Sequence, residues 1–418
     1  MKSMLRIAVV AFVVLLCASC LRINVQGDPA TAAARLPEVI AGAMAKLLPL
    51  RVATYNTSLY SDDAGGLIRR LERGDAGARK IATVLQRVRP DLVLLNEFDY
   101  DDSGRAADLF QRDYLEVPQT GGGDPLRYPY RYLAPVNTGV PSGLDLDRNG
   151  AVGGSGRERG NDAWGFGMHP GQYGMLVLSR YPIDAAAVRT FQLLKWSALP
   201  GARRPMNPAT GAAWYPDAIW AQLRLSSKSH WDVPVRTPQG VVHLLASHPT
   251  PPVFDGAEDR NGARNHDEIR LWAEYLAPGA KPWLCDDQGR CGILPAGAQF
   301  VIAGDLNADP VDGDSVSGAI MQLLRHPRID AGFVPRSPGA RARAAAYRLP
   351  RKGDIASHTG DFGAKSGTLR LDYLLPSRDL AIVDGAVYWP PPGSPDTAIA
   401  DGSDHHLVWL DLIGDPPR

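Results

Sequence analysis

Residues 300–310 read Phe-Val-Ile-Ala-Gly-Asp-Leu-Asn-Ala-Asp-Pro: an apolar run, then a carboxylate, one apolar residue and a carboxamide. Along extended backbone, Asp305 and Asn307 fall on the same side. One hard anionic oxygen beside one neutral group that can orient water or an anion suits metal-assisted hydrolysis. Taken alone, the same residues read equally well as an Asx turn closing a strand. The motif gains weight because it recurs. Asn56 ends an alternating segment from Leu50, Glu97 ends the apolar run Leu92–Leu95, and His248 follows Val241–Ser247. Asp372 lies inside Thr368–Pro376, and Asp404-His405 precede an apolar run from Leu407. A carboxylate beside a histidine is the pairing that general acid–base chemistry needs, and a histidine before a proline-fixed loop suits a proton donor.

Those residues require strands to carry them. Unbroken apolar runs such as Leu92–Leu95 and Val301–Ala303 predict strands covered on both faces, whereas alternation over Leu50–Thr57 predicts a strand by its period. Helical spacing of Leu67, Leu71, Ile81, Val84, Leu85 and Val88 predicts helix over 66–89, interrupted near Gly74 and Gly77 and stopped by Pro90. Residues 264–276 predict an amphipathic helix and Ser317–Leu324 a shorter one. Further strands are expected over 172–180, 241–247 and 368–375, and at the C-terminal end from Leu407. The glycine-rich stretch 137–174 and the Arg-, Ala- and Gly-rich stretch 334–366 are expected to be loop.

The chain has 418 residues, 44% hydrophobic and 22% charged, with a formal net charge of zero, 43 glycines and 35 prolines. These are the proportions of a loop-rich globular protein and not of a helix bundle. Zero net charge gives no general attraction to polyanions, so nucleic acid would need a local basic patch. Lys2 and Arg6, the apolar run Ile7–Leu16 and the small residues Ala18 and Ser19 have the order of a secretory signal, with a run too short to span a bilayer comfortably. The expected division is therefore 1–19 signal peptide, 20–49 lead-in and 50–415 one catalytic domain, in an exported chain expected to be monomeric. Cys20 is either a lipidation site, which would tether the protein to a membrane, or simply the first residue after cleavage. Cys285 and Cys291 flank a polar, turn-prone loop, where a local disulfide is plausible in an oxidising compartment and a zinc site lacks further ligands. Asp145, Asp147, Asn149 and Gly150 match the opening of a calcium loop, but Gly156 stands where a bidentate glutamate is required, so a second cation (Ca²⁺) competes with a solvated acidic turn.

The motifs Ala53–Asn56 (ATYN), Asp91–Glu97 (DLVLLNE), Ser247–Pro252 (SHPTPP), Ala303–Pro310 (AGDLNADP), Leu371–Leu375 (LDYLL) and Gly402–Val408 (GSDHHLV) stand in this order. As a set they resemble the endonuclease/exonuclease/phosphatase family, over about Val52 to Leu412. The resemblance implies an α/β fold: a four-layered α/β sandwich of two mainly antiparallel sheets flanked by helices. It implies phosphoester hydrolysis by activated water, without a covalent intermediate. Glu97, with Asn56 and Asp404, would hold Mg²⁺ or Mn²⁺. His405, oriented by Asp372, or else Asp305, would activate water, and Asn307 and His248 would hydrogen-bond the phosphate. His406 receives no role, and Leu407-Val408 stand where relatives place a proline. Arg260 and Arg264 are candidate phosphate clamps. Three readings follow: a phosphodiesterase or nuclease, a phosphomonoesterase or lipid-headgroup phosphodiesterase on the same site, and a non-catalytic binding protein. The last is disfavoured because every polar position of the motif set is filled.

Overall fold

The structure is a computed structural model that describes residues 48–414. The expected signal peptide, nearly all of the lead-in, Cys20 and residue 415 lie outside the described residues. The elements below belong to the compact unit that begins at Pro49.

Two sheets carry most of the strands. The first runs, in spatial order, β12 (Leu380–Val387), β13 (Val408–Gly414), β1 (Leu50–Leu59), β2 (Leu92–Phe98), β4 (Met175–Ser179) and β3 (Tyr130–Tyr132). The second runs β11 (Asp372–Pro376), β8 (Gln299–Asp305), β7 (Gly240–Ser247), β6 (His230–Thr237) and β5 (Arg189–Thr190). A two-stranded ribbon joins β9 (Gly360–Asp361) to β10 (Thr368–Leu369). Each sheet has one parallel pair at its centre, β1 with β2 and β7 with β8, and the other pairings are antiparallel. Parallel neighbours need a long crossover. Helices α1 (Gly66–Glu72) and α2 (Ala76–Val88) supply it in the first sheet, and α3 (Arg260–Leu276) in the second.

Strand periodicity sorts the side chains into layers. Val52, Leu92 and Leu94 pack with Val233, Leu244, Val301 and Ala303 in a core between the sheets. Their sequence neighbours Ala53, Val93 and Leu95 face the other way, against Ile81 and Leu85 of α2. On the far side of the second sheet, Phe300 and Ile302 pack against Ile269, Trp272 and Tyr275 of α3. The order is helix, sheet, sheet, helix, as the resemblance implied. Runs such as Leu92–Leu95 are apolar throughout because both faces are covered.

Several expectations need correction. Stretch 334–366 is not all loop: α4 (Pro338–Tyr347) lies within it, with Pro338 in its first turn and the Ser337 hydroxyl accepting the Ala340 N–H at 2.9 Å. The helix expected over 317–324 shrinks to Met321–Leu324. Thr368–Pro376 is two strands, because Thr368–Leu369 pairs with β9 and Asp372–Pro376 with β8, and between them the Leu371 carbonyl accepts the Leu306 N–H. Strands β6 and β12 have no counterpart in the sequence expectation.

Candidate functional site

Register brings the polar strand ends together. Ala246 pairs with Ala303 in the parallel β7–β8 pair, so His248 and Asp305, each two residues further on, leave the sheet at one level. Asp372 pairs directly with Asp305 across β11 and β8. In the other sheet Asn56 pairs with Asn96, and Thr54 pairs with Val408, so His405 and His406 approach the level of Asn56. Contacts across the sandwich then join the two rims. The Asn96 side-chain oxygen accepts the Asp305 N–H at 3.1 Å, and the Asn56 carboxamide donates to Asp305 Oδ2 at 3.0 Å.

The backbone at these exits is strained. Ser58, Glu97 and Asn307 are non-glycine residues with φ of 49°, 55° and 51°. Such conformations cost energy and cluster at functional sites. Gly304, with φ of 149°, is needed sterically: a Cβ there would stand 1.9 Å from the Ser247 carbonyl oxygen. The left-handed turn at Asn307 also changes its expected role. Its N–H donates to Asp305 Oδ1 at 3.0 Å, and its carboxamide donates to the Pro249 carbonyl at 3.1 Å.

Asp305, Asp372 and His405 are all buried, and their ligand atoms lie within 4.8 Å of one another. His405 Nδ1 is 2.7 Å from Asp372 Oδ2, and its Nε2 is 3.6 Å from Asp305 Oδ2. His248 Nε2 is 3.5 Å from the same Asp305 oxygen. Burial opposes charge on His405, but Asp372 and Asp305 outweigh it and hold the imidazole well above its ordinary pKa. Burial pushes the Asp305 carboxyl up, with His405 pulling it down and Asp372 pushing it further up. His248 goes the other way: burial, Lys228 and His405 keep it neutral. The imidazole thus sits between two acidic side chains that favour its charged form.

The expected metal ligands form a separate group beside it. Glu97 is half-buried and Asp404 exposed. Partial burial pushes the Glu97 carboxyl up; His405 opposes this and Asp404 adds to it, while the Asn56 carboxamide bonds it. Among the described residues Glu97 has no ion pair with a basic side chain, and the Asp404 carboxylate accepts only from the Ser58 and Ser403 hydroxyls. A half-buried carboxylate beside a second one, with no basic side chain paired to it, fits a hard divalent cation.

Other sequence candidates lie elsewhere. The Arg264 guanidinium is spent on the Leu225, Trp164, Arg224 and Ser226 carbonyls, and Arg260 pairs with Glu258. Arg264 is therefore a structural tie, which argues against the expected phosphate clamp. Asp145 and Asp147 do converge, but with Asp162 in place of Asn149, whose side-chain oxygen accepts the Ala151 N–H. A disulfide joins Cys285 to Cys291. His406 stacks on Trp389, with ring centroids 3.7 Å apart.

The sequence reading missed three contributors. The Thr359 hydroxyl donates to Asp372 Oδ2 at 2.7 Å, the oxygen that His405 also contacts. Asn96 bridges the sheets, although its place before Glu97 marked it. Lys228 is buried near Glu97 and Asp305. It lies in a polar run, Ser226–Ser229, that carried no signal.

The sequence model of the endonuclease/exonuclease/phosphatase family matches residues 53–405. The chain belongs to that family, and is accordingly a metal-dependent phosphoric ester hydrolase. Compared with curated proteins, the chain has no match. Among solved structures it is similar to an endonuclease/exonuclease/phosphatase from Beutenbergia cavernae, at 21% identity and TM-score 0.48, covering 88% of this chain and 72% of that one. It is similar also to sphingomyelinase C from Streptomyces griseocarneus, at 19% identity and TM-score 0.42, covering 87% and 99%. TDP2 from Caenorhabditis elegans matches at 16% identity and TM-score 0.41, covering 93% and 82%.

Proposed function

We propose that this chain is an exported phosphodiesterase that cleaves its substrate by direct attack of water. The observation that carries this reading is the buried His405 imidazole held between Asp372, at 2.7 Å, and Asp305, at 3.6 Å. Upward shifts of both groups fit the roles. Asp305, pushed towards the neutral range, is the base that takes the water proton. His405, held in its charged form and oriented through Nδ1 by Asp372, donates from Nε2 to a phosphate oxygen. Neutral His248 and Asn307 complete the polar wall.

Glu97, Asn56 and Asp404 would hold Mg²⁺ or Mn²⁺, which when bound neutralises phosphate charge and stabilises the leaving oxygen. Charge supports a diester over a monoester. The rim carries Glu97, Asp305, Asp372 and Asp404, and placing a phosphomonoester dianion among four carboxylates costs more than placing a diester monoanion. Export is supported by the charge, apolar-run and small-residue order of residues 2–19. Among the described residues no helix is long and apolar enough to cross a membrane.

The test is hydrolysis of bis-p-nitrophenyl phosphate with Mg²⁺ or Mn²⁺, beside p-nitrophenyl phosphate, plasmid DNA, RNA and sphingomyelin. EDTA should abolish the activity. Glu97→Gln should weaken metal activation by at least about tenfold, the loss of a charge-assisted ligand. Full activity in EDTA, or a clear preference for the monoester, would overturn the reading.

A further inference from the structure

Lys228 is a buried cation that the chemistry above leaves unused. It stands two residues before His230, the first residue of β6, which pairs with Ser247 at the end of β7. The chain beyond that rung therefore runs beside the segment carrying His248. The Asn137 N–H fixes the Lys228 carbonyl at 2.9 Å. The residue is 6% exposed, yet among the described residues its ammonium makes no hydrogen bond and no ion pair. Its charge is felt by Glu268, Glu97, Asp305 and His248.

The nearby acid does not supply the missing partner. Glu268 is already committed, with Oε1 taking the Ser227 N–H and hydroxyl and Oε2 the Thr250 N–H. An ammonium on a largely buried side chain without hydrogen-bonding partners is costly to keep. Burial accordingly lowers the Lys228 pKa. Three donors on a flexible stem, at the edge of an otherwise acidic rim, are matched to an oxyanion with several free oxygens.

We propose that Lys228 contacts a non-bridging oxygen of the substrate's phosphate, and so is a catalytic residue of this site. The proposal rests on the phosphoesterase reading above. It sharpens that reading by naming a second positive charge, beside His405, that meets the anion on the protein's side of the cleft. The competing role is structural, with Lys228 acting only as an internal counter-charge to Glu97, Asp305 and Glu268.

The experiment compares the full chain with Lys228→Met, Lys228→Gln and Lys228→Arg. Binding of inorganic phosphate is measured by titration calorimetry in EDTA, so that no metal contributes. The value of kcat/KM for bis-p-nitrophenyl phosphate is measured at saturating Mg²⁺, with the Mg²⁺ activation constant and Tm alongside. Lys228→Met and Lys228→Gln should weaken phosphate binding and lower kcat/KM by about 10- to 100-fold, as expected for a lost charge-assisted hydrogen bond. Lys228→Arg should retain more of both, and the Mg²⁺ constant should stay close to wild type. A purely structural role would lower Tm while leaving phosphate affinity intact. Should the Met variant not fold, the Gln variant decides. Wild-type phosphate affinity in either folded neutral variant, or no phosphate binding by the wild type, overturns the proposal. If the wild type binds phosphate but cleaves no phosphodiester, the proposed function fails while the binding comparison still decides the role of Lys228.

Discussion

Asp305, Asp372 and His405 are held by contacts between residues far apart in the chain, 33 positions for His405 to Asp372 and 249 for Asn56 to Asp305. Asp145, Asp147 and Asp162 are also three acidic groups in one place, but their ties are local. The Asn149 N–H reaches Asp145 over 4 positions and the Leu146 N–H reaches Asp162 over 16. The first cluster and its neighbour His248 contain buried atoms without partners, Asp372 Oδ1 and His248 Nδ1, and three left-handed non-glycine residues stand at its strand exits, against one, Arg148, in the second. In the second, each carboxylate accepts N–H groups from its own loop. A cluster assembled by the whole fold, at a cost in strain and unsatisfied polar atoms, is where the chemistry belongs. A cluster satisfied by its own turn can exist for the loop alone.

The strongest way to break this contrast is to neutralise both clusters in parallel. His405→Ala or Asp305→Asn should lower kcat/KM on a phosphodiester by roughly 10²–10⁴-fold, the usual worth of a positioned acid or base. The double variant Asp145→Asn, Asp147→Asn should stay within about twofold of wild type at saturating Mg²⁺, since surface changes away from such features are nearly neutral. Equal losses from both would show that the loop cluster belongs to the active site. Near-wild-type activity of His405→Ala would remove the acid–base assignment.

The same contrast explains what could be read from the sequence. The site strands were legible because both their faces are buried, which leaves an unbroken apolar run ending abruptly in Asp305 or Glu97. Strand β6 was not, because Pro234 sits in its middle and proline argues against a central strand. Beyond Trp231 and Asp232, which pair with β5, that edge of β6 meets only a short bridge from Ile183 to Val235, where the Pro234 carbonyl accepts the Asp184 N–H, so no regular ladder needs the missing proline N–H. Strand β12 is an edge strand interrupted by Asp384 and Gly385. Helix α4 was legible in principle, since Ser337-Pro338 is a cap followed by a first-turn proline. Thr359 and Lys228 could not be found by spacing. Their value comes from what packs against them, and nothing beside them in the sequence signals it.

Thr359 permits a finer test. Its hydroxyl donates to Asp372 Oδ2 and accepts the Leu371 and Asp372 N–H groups, each at 3.0 Å. It therefore fixes the carboxylate that orients His405, and acts as a positioning residue. Thr359→Val removes a hydrogen bond to a charged group and should lower kcat by about tenfold or more with little change in KM. Thr359→Ser should restore most of it. A fall in Tm with an unchanged kcat would place Thr359 among local turn contacts.

The smallest effect is expected where a charged group serves only neighbouring turns of the chain. Asp75 caps α2, accepting the Ala78 N–H at 2.8 Å, and pairs with Arg70 at 2.9 Å. Burial raises the Asp75 carboxyl, but the Arg70 guanidinium and the Ala78 N–H more than offset it, so its pKa is lowered in the fold. A lowered folded pKa means that the stabilisation is fully present above the unfolded value, about 3.9, and is lost as pH falls through the folded value. Asp75→Ala should therefore cost about 1 kcal/mol at pH 7, the usual worth of an N-cap, and the gap to wild type should narrow under acid. Chemical denaturation at pH 7 and near pH 3 measures both, and kcat should not move. If Asp75→Ala impaired catalysis at full occupancy of the folded state, local contacts would reach the active rim after all, and the separation between the two kinds of cluster would fail.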